Sequence, residues 1–312
     1  MIFRPARAAA GALLLWALAG CATPELDRLS ANPGDLPPRA EVAAVPFFPQ
    51  QRFYCGPAAL ATVLAWSGLT VTQEDLVGQV YTPGKRGTFR SDIMAAARRH
   101  GRLATRIEGL SDLLGEIAAG HPVLVFQNLG LDWVPKWHFA VAVGYDLGAQ
   151  DIVLRSGEMA RRITPLATFE RTWARGDSWA LVVLPPDQLP RHASKTAVLR
   201  AASALERAER PSDAATAYAA ISRRWPSSYA AMMGLGNARF ALGDLEAAEA
   251  AFRRAIAEHP KMPEAWNNLA HVLANRGEVA TAGQAAREAV RLAGTMAGPY
   301  RATLREISQP GY

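Results

Sequence analysis

Apolar and polar positions change rhythm several times along the chain. Residues 8–19 form an apolar run preceded by Arg4 and Arg7. The run is too short to span a bilayer as a mature helix and reads as the core of a targeting segment over 1–20. Residues 21–43 are polar, hold Pro24, Pro33, Pro37 and Pro38, and lack periodicity, which predicts a tether. From Val45 the pattern tightens. A helix is predicted over 56–67, with Pro57 in its first turn and Leu60, Val63 and Leu64 on one face. A short helix over 72–80 is capped by Thr72, and another over 90–100 is capped by Ser91 and ended by Gly101. Residues 111–119 form a further helix, closed by Gly120. Strands are predicted over 122–127, 138–146, 151–155 and 179–184, the middle two joined by a turn. Helices followed by an antiparallel sheet predict an α+β domain over 44–187, with a linker at 188–195.

From residue 196 to 308 the chain is Ala-rich and helical, with an internal period. Pro226, Pro260 and Gly294 stand 34 residues apart. On that period Gly236, Gly243, Ala248, Phe252 and Ala255 fill the tetratricopeptide pattern, and Trp266, Leu269, Ala270, Gly277, Ala282 and Ala289 repeat it. A copy with Ala201, Ala202, Ala214 and Tyr218 precedes them. Small residues let paired helices approach, and aromatic residues fill the gaps between pairs. About three repeats and a terminal helix are expected, because one repeat cannot bury its apolar face alone. Such an array implies a protein or peptide partner.

Composition changes this picture little. Half the residues are apolar, and the net charge of +6 is spread over scattered Arg pairs. No basic cluster suggests nucleic acid as a partner. The N-terminus matters more. The apolar run ends in Leu18-Ala19-Gly20-Cys21, which resembles a bacterial lipobox, where the Cys carries a lipid after cleavage. Ala22 follows, and by resemblance to Gram-negative lipoproteins this implies a membrane anchor on the periplasmic face of the outer membrane. With Cys21 lipidated, Cys55 is the only remaining thiol. A lone thiol in an oxidising compartment calls for a reason.

The reason lies in its neighbours. A Cys at the start of a helix faces unpaired backbone N–H groups and the positive dipole end, which favour thiolate. Gln50 lies five residues upstream. Its amide, with the backbone N–H of Cys55, can donate to an oxyanion formed at an attacked carbonyl. Of the six His residues, His259 and His271 fall in the repeats, His100 at a helix end, His121 in a turn and His192 in the linker. His138 opens an alternating strand and is the candidate base.

The ordered set Gln50, Cys55-Gly56-Pro57 and His138-Phe139 resembles the double-glycine, or bacteriocin-leader-processing, cysteine peptidases, a papain-like group. The resemblance covers residues 45–185. It implies an α+β papain-like domain, followed here by the all-α tetratricopeptide repeats, and hydrolysis of peptide bonds by a Cys55/His138 thiolate–imidazolium pair. The family usually places an Asp or Asn after the next strand to orient the His. If 138–145 and 151–155 form a hairpin, Asp146 lies at the far end, on the order of 20 Å away. The residue in the expected place is Ser156, with Glu158 a nearby carboxylate that can substitute. Gln127, Asn128, Trp133, Trp137 and Tyr54 are candidates for lining the site. Cysteine hydrolysis needs no cofactor, and no motif suggests a metal. Two alternatives stay open: a degenerate recognition domain that serves as a binding scaffold, and a transglutaminase-like acyl transferase.

Overall fold

The computed structural model describes residues 23–51 and 53–309. The targeting segment and Cys21 lie outside the described residues. The chain divides into two compact units. One comprises the chain up to Ile93 with 106–183 and 191–193, and the other 94–105, 184–190 and 194 onward.

The first unit is built around helix α2 (Cys55–Trp66). Every residue from Gly56 to Leu64 is buried, as expected of a helix apolar on all sides. Pro57 sits in the first turn, where a missing N–H costs nothing. Helix α3 (Gln73–Val80) is capped by Thr72 as expected, and the cap is a full capping box in which the Thr72 side chain accepts from the Asp75 N–H. Helix α4 (Arg90–Arg99) begins one residue before Ser91, so that residue lies inside the first turn and is not the cap. Helix α5 covers Leu110–Ala118.

Beside the helices lies a seven-stranded sheet. Its strands are β1 (Arg39–Glu41), β4 (Leu103–Ile107), β5 (Val123–Asn128), β6 (Trp137–Asp146), β7 (Asp151–Ser156), β8 (Met159–Pro165) and β9 (Ala180–Leu184). The order is β4-β9-β5-β6-β7-β8, with β1 beside β6. Antiparallel pairing of β6 with β5, β7 and β1 puts β6 at the centre. Strands β2 (Tyr81–Thr82) and β3 (Gly87–Thr88) form a separate hairpin, and α6 (Leu166–Ala174) packs on β5.

The segment expected to be a tether is instead folded. Residues Pro24–Ala31 form helix α1, with Leu26 and Leu29 buried. The buried carboxylate of Glu170 accepts from the N–H groups of Glu25 and Leu26, each at 2.9 Å. Strand β1 then pairs Arg39–Glu41 with β6. The prolines misled, because Pro24 belongs to a first helical turn, where proline is at home.

The second unit contains helices α7 (Lys195–Glu206), α8 (Pro211–Arg224), α9 (Tyr229–Ala241), α10 (Leu245–Glu258), α11 (Pro263–Asn275), α12 (Val279–Ala293) and α13 (Gly298–Ile307). They pair in sequence order, as the 34-residue period requires. The repeat glycines mark close approach. A Cβ on Gly236 would stand 2.6 Å from Cζ of Phe252, itself buried in the core.

Candidate active site

The residues before α2 make a sharp turn. Tyr54 N–H donates to the Gln51 carbonyl at 3.0 Å, and Phe53 has a φ of 70°. Such a conformation is unusual for a bulky residue and sits where the chain must reverse to start a helix. Gly56 follows Cys55 because there is no space for a side chain. A Cβ there would lie 2.5 Å from Cβ of Thr88, on β3. The glycine lets the β2–β3 hairpin close over the first turn of α2.

Strand β6 carries His138 to the same place. Gln127 on β5 is its register partner. On the other side Val141 pairs with Arg155, so Ser156, one step further, stands diagonally across from His138. The register slips between Leu154 and Ser156, a local irregularity that re-aims the strand end. His138 Nε2 lies 2.8 Å from Ser156 Oγ. The turn beyond it holds the other side of the site, since Gln50 N–H donates to the Gly157 carbonyl at 3.0 Å. Gln50, Cys55 and His138 line one cleft of about 730 Å³, and Gln50, Cys55 and Ser156 line a smaller recess beside it. Four sequence-predicted residues are thus brought together.

The electrostatics differ from the expected thiolate–imidazolium pair. Burial pushes the Cys55 thiol up, against the backbone N–H groups of Phe139, Gly56 and Cys55, which pull it down. Burial, and secondarily the Arg162 guanidinium, lower His138 to about 4. Desolvation outweighs the helix N-terminus. Both shifts favour the neutral thiol and the neutral imidazole. The orienting partner is Ser156 and not Glu158, which is exposed on the turn. Ser156 is itself buried and supplies no charge to hold a proton on the imidazole.

Other expected lining residues divide. Trp137 lines the cleft and stacks on Phe126, with centroids 5.2 Å apart. Gln127 and Asn128 are buried and turned to other work: Gln127 Nε2 donates to Thr172 Oγ1 at 2.6 Å, and Asn128 Oδ1 accepts from Gly130 and Lys136 N–H, each at 2.9 Å. Tyr54 packs edge-on against Tyr81, centroids 5.0 Å apart. The opposite wall was missed. Lys85, Arg86, Thr88 and Phe89 border the cleft from the β2–β3 hairpin and its exit. Its turn signal, Pro83-Gly84, is visible in the sequence, but two-residue strands are too short to show alternation. Arg90 is also there, paired with Asp177 at 3.0 Å. Among the described residues no group of three His, Cys, Asp or Glu side chains could hold a metal ion.

Residues 42–178 match the model of the Peptidase_C39 like family. The tetratricopeptide repeat model matches 199–263 and 236–297. Among solved structures, one described as a C39-like peptidase from Bacillus anthracis is 21% identical, covers 47% of this chain and 97% of its own, and has a TM-score of 0.39. The Yersinia enterocolitica type III secretion chaperone SycD, in complex with a peptide of the translocator YopD, is 20% identical over 38% of this chain and 95% of its own, with a TM-score of 0.35. The Sgt2 tetratricopeptide domain of Aspergillus fumigatus is 18% identical over 36% of this chain and 76% of its own, also at 0.35. No curated protein matches the chain. Residues 42–178 are thus similar to the C39-like peptidase family, and residues 199–297 match the tetratricopeptide repeat model.

Proposed function

We propose that the first domain is a cysteine peptidase working by general-base catalysis from a neutral Cys55/His138 pair. The observation that carries this is the 2.8 Å contact between His138 Nε2 and Ser156 Oγ. With Nε2–H donating to Ser156, Nδ1 is left as the base for the cleft. The Cys55 sulfur attacks a peptide carbonyl while its proton passes to Nδ1. The Gln50 amide and the Cys55 N–H stabilise the oxyanion. His138 then returns the proton to the leaving amine, which leaves a thioester on Cys55. Water, deprotonated by His138, releases the acid and restores the thiol.

A peptide carrying an electrophilic warhead tests this on the full chain. Mass spectrometry should find the adduct on Cys55, strongly reduced in His138→Ala, with peptide hydrolysis lost in Cys55→Ala. Hydrolysis that survives Cys55→Ala would sink the reading. An added amine that became incorporated into product would identify an acyl transferase instead.

A second reading keeps the fold and drops the chemistry. It draws on the uncharged Ser156 hydroxyl at His138 Nε2 and, among the described residues, on the Arg162 cation, which disfavours a charged imidazole. In that case the domain is a binding scaffold, and Cys55→Ala leaves the cellular role intact.

In either reading the repeats recruit a protein partner, and a lipid on Cys21 holds the chain in the cell envelope, on the periplasmic face of the outer membrane. The Leu18-Ala19-Gly20-Cys21 sequence supports the anchor. Cys21→Ala should move the protein from the membrane to the soluble fraction.

A further inference from the structure

One rim of the cleft is the β5–β6 loop, which lines it through Pro135 and exposes apolar side chains that the mechanism does not use. On the β5–β6 loop, residues 129–136, Leu131, Trp133 and Val134 are 53%, 78% and 58% exposed. Phe89 and Trp137, on the adjoining cleft walls, are also exposed. Large apolar side chains grouped in this way mark a contact surface.

The loop is built to hold them out. Asn128, only 1% exposed, binds the Gly130 and Lys136 N–H groups through Oδ1 and donates from Nδ2 to the Leu131 carbonyl at 3.4 Å. Leu129 N–H donates to the Lys136 carbonyl at 2.9 Å, and Leu131 and Val134 bridge each other. A buried polar side chain is thus spent on fixing a tip whose side chains face water.

Charge narrows the partner. Lys85 and Arg86 are exposed at the cleft, and Lys136 is exposed on the loop beside Pro135. Asp177 is held by Arg90 at 3.0 Å, which leaves Asp132 as the loop's own acid. Tryptophan with flanking lysine and arginine is the composition of an interfacial contact with anionic lipid.

Chain connectivity agrees. Helix α1, three residues after Cys21, is fastened through the N–H groups of Glu25 and Leu26 to Glu170 on α6. Five residues on, Arg175 Nη2 donates to the Asn128 carbonyl at 3.1 Å, at the root of the loop. Five helical residues advance about 7.5 Å. The first turn of α1 and the root of the loop are therefore tied to one short helix.

We propose that this rim, with Trp133 at its tip, docks on an anionic phospholipid surface and brings the cleft mouth to the membrane. The contact is separate from the lipid expected on Cys21 and from the peptidase reading.

The full chain carrying Cys21→Ala tests it without the anchor. Cosedimentation with phosphatidylglycerol/phosphatidylethanolamine vesicles is measured, with tryptophan quenching by brominated lipid. Binding is expected, weakened by about tenfold or more in Trp133→Ala, restored in part by Trp133→Phe, and weakened by Lys85→Glu/Arg86→Glu. Phosphatidylcholine vesicles should bind less. Absent vesicle binding, or equal binding by Trp133→Ala, overturns the proposal. So does a result in which an apolar peptide, and not the vesicle, loses affinity in Trp133→Ala, since the loop is then a substrate wall. Hydrolysis of a soluble peptide, read in parallel, bears on the peptidase reading alone.

Discussion

His138 and Ser156 meet across a hairpin, Nε2 to Oγ at 2.8 Å, with the hydroxyl where a carboxylate or amide would serve a charged imidazole. The hydroxyl orients the ring and fixes which nitrogen faces the cleft. It does not raise the ring's basicity. From this come distinct expectations for the chemistry and for stability.

Removing the hydroxyl should cost orientation alone. Ser156→Ala is expected to lower kcat/KM by about tenfold. Ser156→Asp places a charge beside the imidazole and should shift the acid limb of the pH–rate profile upward by about 1–2 units. A profile that does not move in Ser156→Asp would show that the contact does not govern His138.

Thiol reactivity should follow burial. The Cys55 thiol is pushed up, so iodoacetamide should label it more slowly than a free model thiol at pH 6. Faster labelling would instead establish a preformed thiolate.

Acid should destabilise the first domain through His138. The ring's value falls from 6.5 to about 4 on folding. The unfolded chain therefore binds more protons between those values. This contribution to stability is whole above pH 6.5 and is lost as pH falls toward 4, by up to about 3 kcal/mol. Denaturant titrations of wild type and His138→Gln across that window should converge as pH falls.

Gly56→Ala should destabilise by about 1–3 kcal/mol through overpacking against Thr88. Because the clash reaches Thr88 Cβ at 2.5 Å, Thr88→Ala should not relieve it and Thr88→Gly should. A double-mutant cycle in urea reads the coupling.

Glu170→Ala should strip the acceptor from two N–H groups and cost about 1–3 kcal/mol. Hydrogen exchange at Glu25 and Leu26 should accelerate while the α2 amides stay protected. Unchanged exchange at 25–26 would mean that α1 is held by its leucines alone.

Much of this was legible from spacing. The apolar run of α2, the Thr72 cap and the 34-residue period are local patterns, each set by a few neighbouring residues. The candidate triad was legible as well, because Gln50, Cys55 and His138 stand in a recognisable order, and hairpin geometry pointed to Ser156. The N-terminal helix was not, since its two buried leucines lay hidden among prolines. The β2–β3 hairpin was missed because two-residue strands show no period.

The sequence by itself determined which side chains were available to react and which helices and strands would carry them, because propensity and apolar period act over a few residues. Tertiary structure alone decided the protonation of those side chains and their partners. Desolvation of Cys55 and His138 depends on what the sheet and hairpin pile around them, and it outweighs the helix dipole that the sequence put forward. The same holds for Asn128, whose amide was free to face the cleft until the loop's own N–H groups claimed it.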